Sequence, residues 1–252
     1  MFLLYYLFVT SIFFSKISEK KWLYIFNGKN LDGWEIKIRG HKVNDNFKNT
    51  FKVKNDILEV SYNDYDQFDD KFGHIFYTLK EFQDYHLSLE YRFFSSHLSG
   101  APSWSVKNSG IMIHSQSPYS MLIDQEFPVS VEAQLLGGID RSKSRNTLNM
   151  CSPGTEVFVD GMIASSHCVN SKSKTYYSDD WIKAEVIVYS DSIIHHIIDL
   201  DTVLSYSNIM IGGEYTPQNL KNKIGKNLKK GFISLQSEGH PIQFKNIKIK
   251  PL

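Results

Sequence analysis

Glu132 and Gln134 stand two residues apart in S-V-E-A-Q-L (Ser130 to Leu135), and in an extended strand both leave the same side. A carboxyl group presented beside an amide is suited to general acid or base work on a neutral, hydroxyl-bearing substrate. The segment His86 to Phe93 alternates in the same way. His86, Ser88, Glu90 and Arg92 fall on one side, and Leu87, Leu89, Tyr91 and Phe93 on the other. Arg92 could stabilise an anionic oxygen or pair with Glu132. His114 ends N-S-G-I-M-I-H, where an imidazole could shuttle a proton near neutral pH. Asn108 and Ser109 open that strand as hydroxyl-binding groups. Gln236, Glu238 and His240 close a late strand, and Trp104 offers a ring for stacking. The expectation is one polar sheet face gathering Glu132, Arg92 and His114 over a shared hollow, which defines the candidate catalytic set.

The elements that must position these groups are strands. Short β-candidates bounded by Gly, Asn, Asp, Ser and Pro recur along the chain: Trp34–Ile38, 50–53, 57–62, 74–78, 86–94, 109–114, 130–136 and 155–160. Further ones follow at 181–189, 193–198, 231–236 and 242–249. No long segment has helical periodicity, so the expected fold is an all-β sandwich of two antiparallel sheets. Aromatic residues make up 14% of the chain, which suits pleated, half-buried surfaces. A length of 252 residues is within reach of one large sandwich domain.

Charge excludes some partners. The 28 basic and 27 acidic residues leave a net charge of +1, which argues against nucleic acid or an anionic membrane surface. The Lys/Asn-rich run from Lys221 to Lys230 reads as a solvated loop. Phe2 to Phe14 form an apolar run of signal-peptide length, short of the ~20 residues that span a bilayer. Residues 1–19 are therefore expected to be a signal peptide or apolar segment. The mature domain, 20–252, is expected to act in the periplasm or outside the cell with no stable membrane span.

Cys151 and Cys168 flank E-V-F-V-D-G-M-I-A, in which Asp160-Gly161 is a two-residue hairpin signal. A turn there pairs Val159 with Met162 and brings the cysteines close enough to bridge. The run D-Y-D-Q-F-D-D-K-F (Asp64 to Phe72) clusters carboxylates that could hold a divalent metal such as calcium, although it lacks EF-hand spacing.

Three motif groups carry a resemblance. They are L-Y-I-F-N-G-K-N-L-D-G-W-E (Leu23 to Glu35), K-N-S-G-I-M-I-H with V-E-A-Q-L-L-G-G (Lys107 to His114, Val131 to Gly138), and G-F-I-S-L-Q-S-E-G-H-P-I-Q-F-K-N-I-K-I (Gly231 to Ile249). Together they resemble the 3-keto-disaccharide hydrolase domain over nearly the whole chain from Trp22 to Leu252. The resemblance implies a concanavalin A-like jelly roll, export, and action on glycosides oxidised at the sugar 3-position. A 3-ketone acidifies the 2-position C–H, so a base can remove that proton and the enolate can expel the anomeric group before water adds back. Such a route needs a base, an enolate stabiliser and an acid. Two alternatives stay open: a non-catalytic, lectin-like carbohydrate-binding module, and an ordinary glycosidase using paired carboxyls.

Overall fold

The computed structural model describes residues 20–252, and the expected leader lies outside them. In chain order the first strands are β1 (Leu23–Tyr24), β2 (Trp34–Ile38), β3 (Phe51–Lys54), β4 (Ile57–Val60), β5 (Gly73–Phe82) and β6 (Asp84–Phe93). The middle of the chain supplies β7 (Asn108–Ser115), β8 (Val131–Leu136), β9 (Asn149–Cys151), β10 (Thr155–Val159), β11 (Met162–Ile163) and β12 (Cys168–Val169). Last come β13 (Ile182–Tyr189), β14 (Ile193–Ile198), β15 (Asp201–Ile211), β16 (Gly231–Ser237) and β17 (Ile242–Pro251).

These strands form two antiparallel sheets. The seven-stranded sheet runs β12-β9-β8-β7-β16-β5-β2. The ten-stranded one runs β11-β10-β15-β14-β13-β6-β17-β4-β3, with β1 added beside β17. Helix among the described residues is limited to short 3₁₀ turns. No helix there is long and apolar enough to cross a membrane. This is the concanavalin A-like jelly roll expected from the strand pattern and the resemblance.

Period-two alternation builds the core. Ile111 and Ile113 of β7, Val131, Ala133 and Leu135 of β8, and Ile233 and Leu235 of β16 are fully buried. They join Leu87, Leu89 and Tyr91 of β6 and Ala184, Val186 and Val188 of β13 in one apolar cluster. At ~25 cal/mol per Å² of apolar surface removed from water, this contact is the main stabilising term. Every expected strand is present. The longest of the described strands, β15, falls outside the expected set.

The polar faces go to different places. On β8, Glu132 and Gln134 turn away from the core on the seven-stranded sheet. On β6, His86, Ser88, Glu90 and Arg92 turn away from the core on the other sheet. The expected single polar face is thus two faces on opposite sides of the sandwich. Alternation tells which residues share a side of a strand, and the sheet to which the strand belongs decides where that side points.

The hairpin signal holds, with a twist of topology. Val159 pairs with Met162 around Asp160 and Gly161, whose φ values of 50° and 81° suit a tight primed turn. That tip lies in the ten-stranded sheet, while the base crosses to the seven-stranded sheet, where Cys168 pairs directly with Cys151. The two sulfurs are bonded and close a loop of sequence separation 17. Opening it by a Cys151→Ser/Cys168→Ser change should cost roughly 3 kcal/mol in the loop-entropy account. Urea unfolding of both forms checks this, and an unchanged midpoint would show that the bridge constrains nothing.

Candidate functional site

The outward face of the seven-stranded sheet is polar yet buried. Met112, Glu132, Cys151 and Cys168 form one row of directly paired residues across β7, β8, β9 and β12. In the next row, Lys37 pairs with His74 and His74 with Gln236, while Gly110 pairs with Gln134 and Gln134 with Asn149. Loops roof these rows, so Glu132 is only 6% exposed and Glu238 only 3%. Between roof and floor lies a cavity of about 320 Å³, bordered by Trp104, Asn108, Glu126, Phe127, Glu132, Gln134, Arg145, His167, Tyr215 and Glu238 among others.

Gly110 makes room for the carboxyl group. A Cβ on that residue would lie 2.7 Å from the carboxyl carbon of Glu132, so the side chain of Glu132 occupies space that only glycine leaves free. The disulfide beside it forms another wall of the same cavity.

Burial sets the electrostatics. It raises the Glu132 pKa to about 8. Burial also raises Glu238 well above the usual carboxyl range, the charge of Glu132 adds to the rise, and Arg145 opposes it. The pair therefore retains a proton at neutral pH and titrates as a unit. One oxygen of each carboxyl group, Glu132 Oε1 and Glu238 Oε2, is buried with no hydrogen-bond partner in the protein. Arg145 brings a cation whose position is fixed by main chain. Its Nη1 donates to the carbonyl oxygens of Val106 (2.6 Å), Gly137 (2.8 Å) and Lys107 (3.0 Å), and its Nη2 to that of Trp104 (3.2 Å). Among the described ion pairs, none uses Arg145. Its charge is left available to the cavity.

The expected residues divide accordingly. Glu132, Gln134, Glu238, Asn108 and Trp104 border the cavity. Trp104 is half exposed and stacks on Phe72 with ring centroids 6.0 Å apart and planes 3° off parallel. Gln236 lies on the same sheet face, fully buried. Arg92 is not brought to them. Its Nε donates to Gln243 Oε1 at 2.8 Å and its guanidinium lies 4.7 Å from the Trp181 ring centre, on the outer face of the ten-stranded sheet. Nor is His114. A left-handed backbone (φ 52°) breaks the alternation of β7 and turns the ring to Tyr85, centroids 6.1 Å apart, with Nε2 3.1 Å from the Ser190 carbonyl oxygen. Ser109 faces the core side, donating to the Gln236 carbonyl oxygen at 2.8 Å. His240 stacks on His97 (5.8 Å) beside Phe93, off the cavity wall. The cavity thus gathers Glu132, Glu238 and Arg145, while Arg92 and His114 lie elsewhere. Arg145 lies in the loop S-K-S-R-N-T, where no periodicity marks it.

The carboxylates of the Asp64 to Phe72 run turn to separate partners: Asp66 to Lys48 (2.9 Å), Asp69 to Gln67 (2.7 Å) and Asp70 to Arg39 (3.4 Å). Among the described residues one trio of His, Cys or acidic groups has ligand spacing, Cys151, His167 and Cys168, and its sulfurs are bonded to each other.

A lectin-type jelly roll with a roofed, acidic cavity on its seven-stranded sheet is the class that the fold and site define. Matching residues 21–250 to the 3-keto-alpha-glucoside-1,2-lyase-like domain shows that the chain belongs to that family. No curated protein matches. Among solved structures, a candidate glycosyl hydrolase of Parabacteroides distasonis is similar at 17% identity, with 92% of this chain and 94% of that one covered and a TM-score of 0.52. The carbohydrate-binding module CBM66 of Bacillus subtilis is similar at 9% identity (86% and 95% covered, TM-score 0.50). A Bacillus subtilis protein of unknown function with a galectin-like fold is similar at 10% identity (88% and 90% covered, TM-score 0.50). At these identities the likeness concerns the fold.

The burial of Glu132 has a measurable consequence for stability. Between the ordinary carboxyl value and about 8, an unfolded chain releases a proton that the folded protein keeps, so stability falls as pH rises through that window. Glu132→Gln removes the ionisation. Its melting temperature should match wild type near pH 4 and exceed it by a margin that grows toward pH 8, reaching about 3 kcal/mol of relative stabilisation near pH 7. Thermal melts across pH 4–9 check this, and a margin that shrinks with pH would contradict the burial.

Proposed function

We propose that the chain cleaves 3-keto-glycosides by elimination across C1 and C2, followed by hydration. The observation that carries the reading is the enclosed carboxyl pair, Glu132 and Glu238, beside a guanidinium held by main-chain carbonyls. In this scheme the ionised carboxylate of Glu132 takes the proton from C2. The C2–H electron pair enters the carbonyl system as a C3 enolate, whose oxygen charge Arg145 stabilises. Collapse of the enolate forms the C1=C2 bond and breaks the C1–O bond, and the proton on Glu238 goes to the departing oxygen. Water then adds at C1, and the proton returns to C2. Burial serves each step, because raised pKa values keep a proton available for the leaving group while the base remains strong. The family assignment supports the substrate class.

A second reading has its own support. The Trp104 ring, half exposed and stacked on Phe72, is a platform of the kind that sugars stack on, which suits a non-catalytic binding module. Two enclosed carboxyl groups are also the equipment of an ordinary glycosidase. The disulfide supports a working place in an oxidising compartment, in the periplasm or outside the cell.

Incubating the protein with 4-nitrophenyl 3-keto-glucoside in D₂O separates the three. Elimination releases nitrophenol and leaves deuterium at C2 of the product. Glu132→Gln should lower kcat by about 10²–10⁴-fold. In wild type, kcat/KM should rise with pH toward about 8 as Glu132 ionises. Cleavage of the unoxidised glucoside without C2 label would assign the pair to ordinary glycoside hydrolysis. Binding without turnover, unaffected by Glu132→Gln, would leave only the binding module.

A further inference from the structure

His74 and Gln236 are cross-strand partners on β5 and β16, both fully buried on the sheet face that carries Glu132. Both ring nitrogens of His74 and both side-chain amide atoms of Gln236 lack a hydrogen-bond partner in the protein. Four such atoms in one patch cost about 1–3 kcal/mol each if left unpaired. Apolar residues would fill a core position at no such cost, and the free polar atoms of this patch are available to a hydrogen-bonding ligand.

The chemistry of the patch narrows the ligand. Burial, then the charge of Lys37, depress the His74 pKa to about 3, so the imidazole is neutral. The Lys37 ammonium already donates to the carbonyl oxygens of Ile123 (2.8 Å) and Ile38 (2.9 Å). What remains is a neutral imidazole and a neutral amide, each offering donor and acceptor together, which suits hydroxyl groups rather than an ion.

One ring touches both the patch and the cavity. Phe127 borders that cavity and meets the His74 ring edge-on at 6.2 Å. It is half-buried and touches Phe72 (5.4 Å) and Tyr215 (5.3 Å) through ring contacts. Together with Leu122 to Glu126, the same ring also borders a second, more open hollow. The catalytic cavity alone, about 320 Å³, is at the low end for ligand pockets of ~300–1,000 Å³ and suits a single sugar ring.

We propose that His74 and Gln236 form a second sugar subsite, gated by the Phe127 ring, which receives the unoxidised ring of a 3-keto-disaccharide while the keto ring lies against Glu132 and Glu238. This rests on the proposed reaction for the identity of the substrate. Swinging Phe127 aside would open the cavity toward the patch and give the hydroxyls of the second ring four hydrogen-bonding atoms that have no partner within the protein.

The test compares wild type with His74→Phe/Gln236→Leu on two substrates, 3-keto-sucrose and methyl 3-keto-glucoside, with a thermal melt of each protein. The proposal expects kcat/KM on 3-keto-sucrose to fall at least about tenfold. Turnover of the methyl glycoside should stay within about twofold, and the melting temperature should rise because unpaired buried polar atoms are gone. Equal loss on both substrates, or loss on neither, would overturn it. Should wild type turn over neither keto-glycoside, the reaction itself fails, and calorimetric titration with sucrose and methyl glucoside decides the subsite. Tighter binding of the disaccharide by wild type, erased in the double variant, supports it. Equal affinities for the two sugars overturn it.

Discussion

Two carboxyl groups withdrawn from water on the same sheet face are the constraint on which the rest of this molecule turns. An isolated buried carboxylate is so costly that it takes up a proton instead, and a second one nearby adds repulsion to that cost. The fold must therefore supply the stability that Glu132 and Glu238 withhold. It does so from the opposite side of the same strands, where Val131, Ala133 and Leu135 are buried against the other sheet. The strand that presents the acid thus also anchors the core, and the site cannot shift without disturbing the sandwich.

The disulfide contributes at the same spot. Cys151 is the direct cross-strand partner of Glu132, and the Cys168 bond secures the short edge strand β12 to β9. Edge strands of two or three residues have little pairing energy of their own. A covalent staple there stiffens the wall of the cavity at its weakest margin. Arg145 is handled in a different way: carbonyl oxygens rather than carboxylates hold it, so it is fixed in place without being neutralised. A fixed, partly desolvated cation beside raised carboxyls is a preorganised arrangement for a developing negative charge.

Much of the fold was legible in residue order, and its failures have identifiable causes. Most strands kept strict alternation and stood out. β15 did not, because its buried residues Val203, Tyr206 and Ile209 fall three apart, with a register shift against β14 and a left-handed Asn208. Bulges of this kind shift the inward side along the strand and erase the period that sequence reading depends on. His114 misled for the same reason, since one left-handed residue re-aimed its ring into the sandwich. Arg92 misled for another: its strand alternates perfectly, but nothing local says that β6 and β8 belong to different sheets. Glu132 was legible because its polar neighbours on β8 repeat at the same period. Arg145 and Phe127 lie in loops, and their approach to the cavity is a product of tertiary structure alone.

The difference between a sugar-binding sheet and a sugar-cleaving one can be stated in the same terms. A polar sheet face open to water keeps its carboxyl groups ionised near their ordinary values and makes a binding surface. Roofing that face with Trp104, Phe127 and Tyr215 leaves the residue types unchanged and alters only their solvation. The roof moves Glu132 into the range where a carboxyl group can both hold and release a proton near neutrality. In the proposed reaction the aromatic loops would belong to the acid–base apparatus, although none of them exchanges a proton. The gain in chemistry and the loss in stability then have one origin, the exclusion of water from a face that the sheet could as well have left exposed.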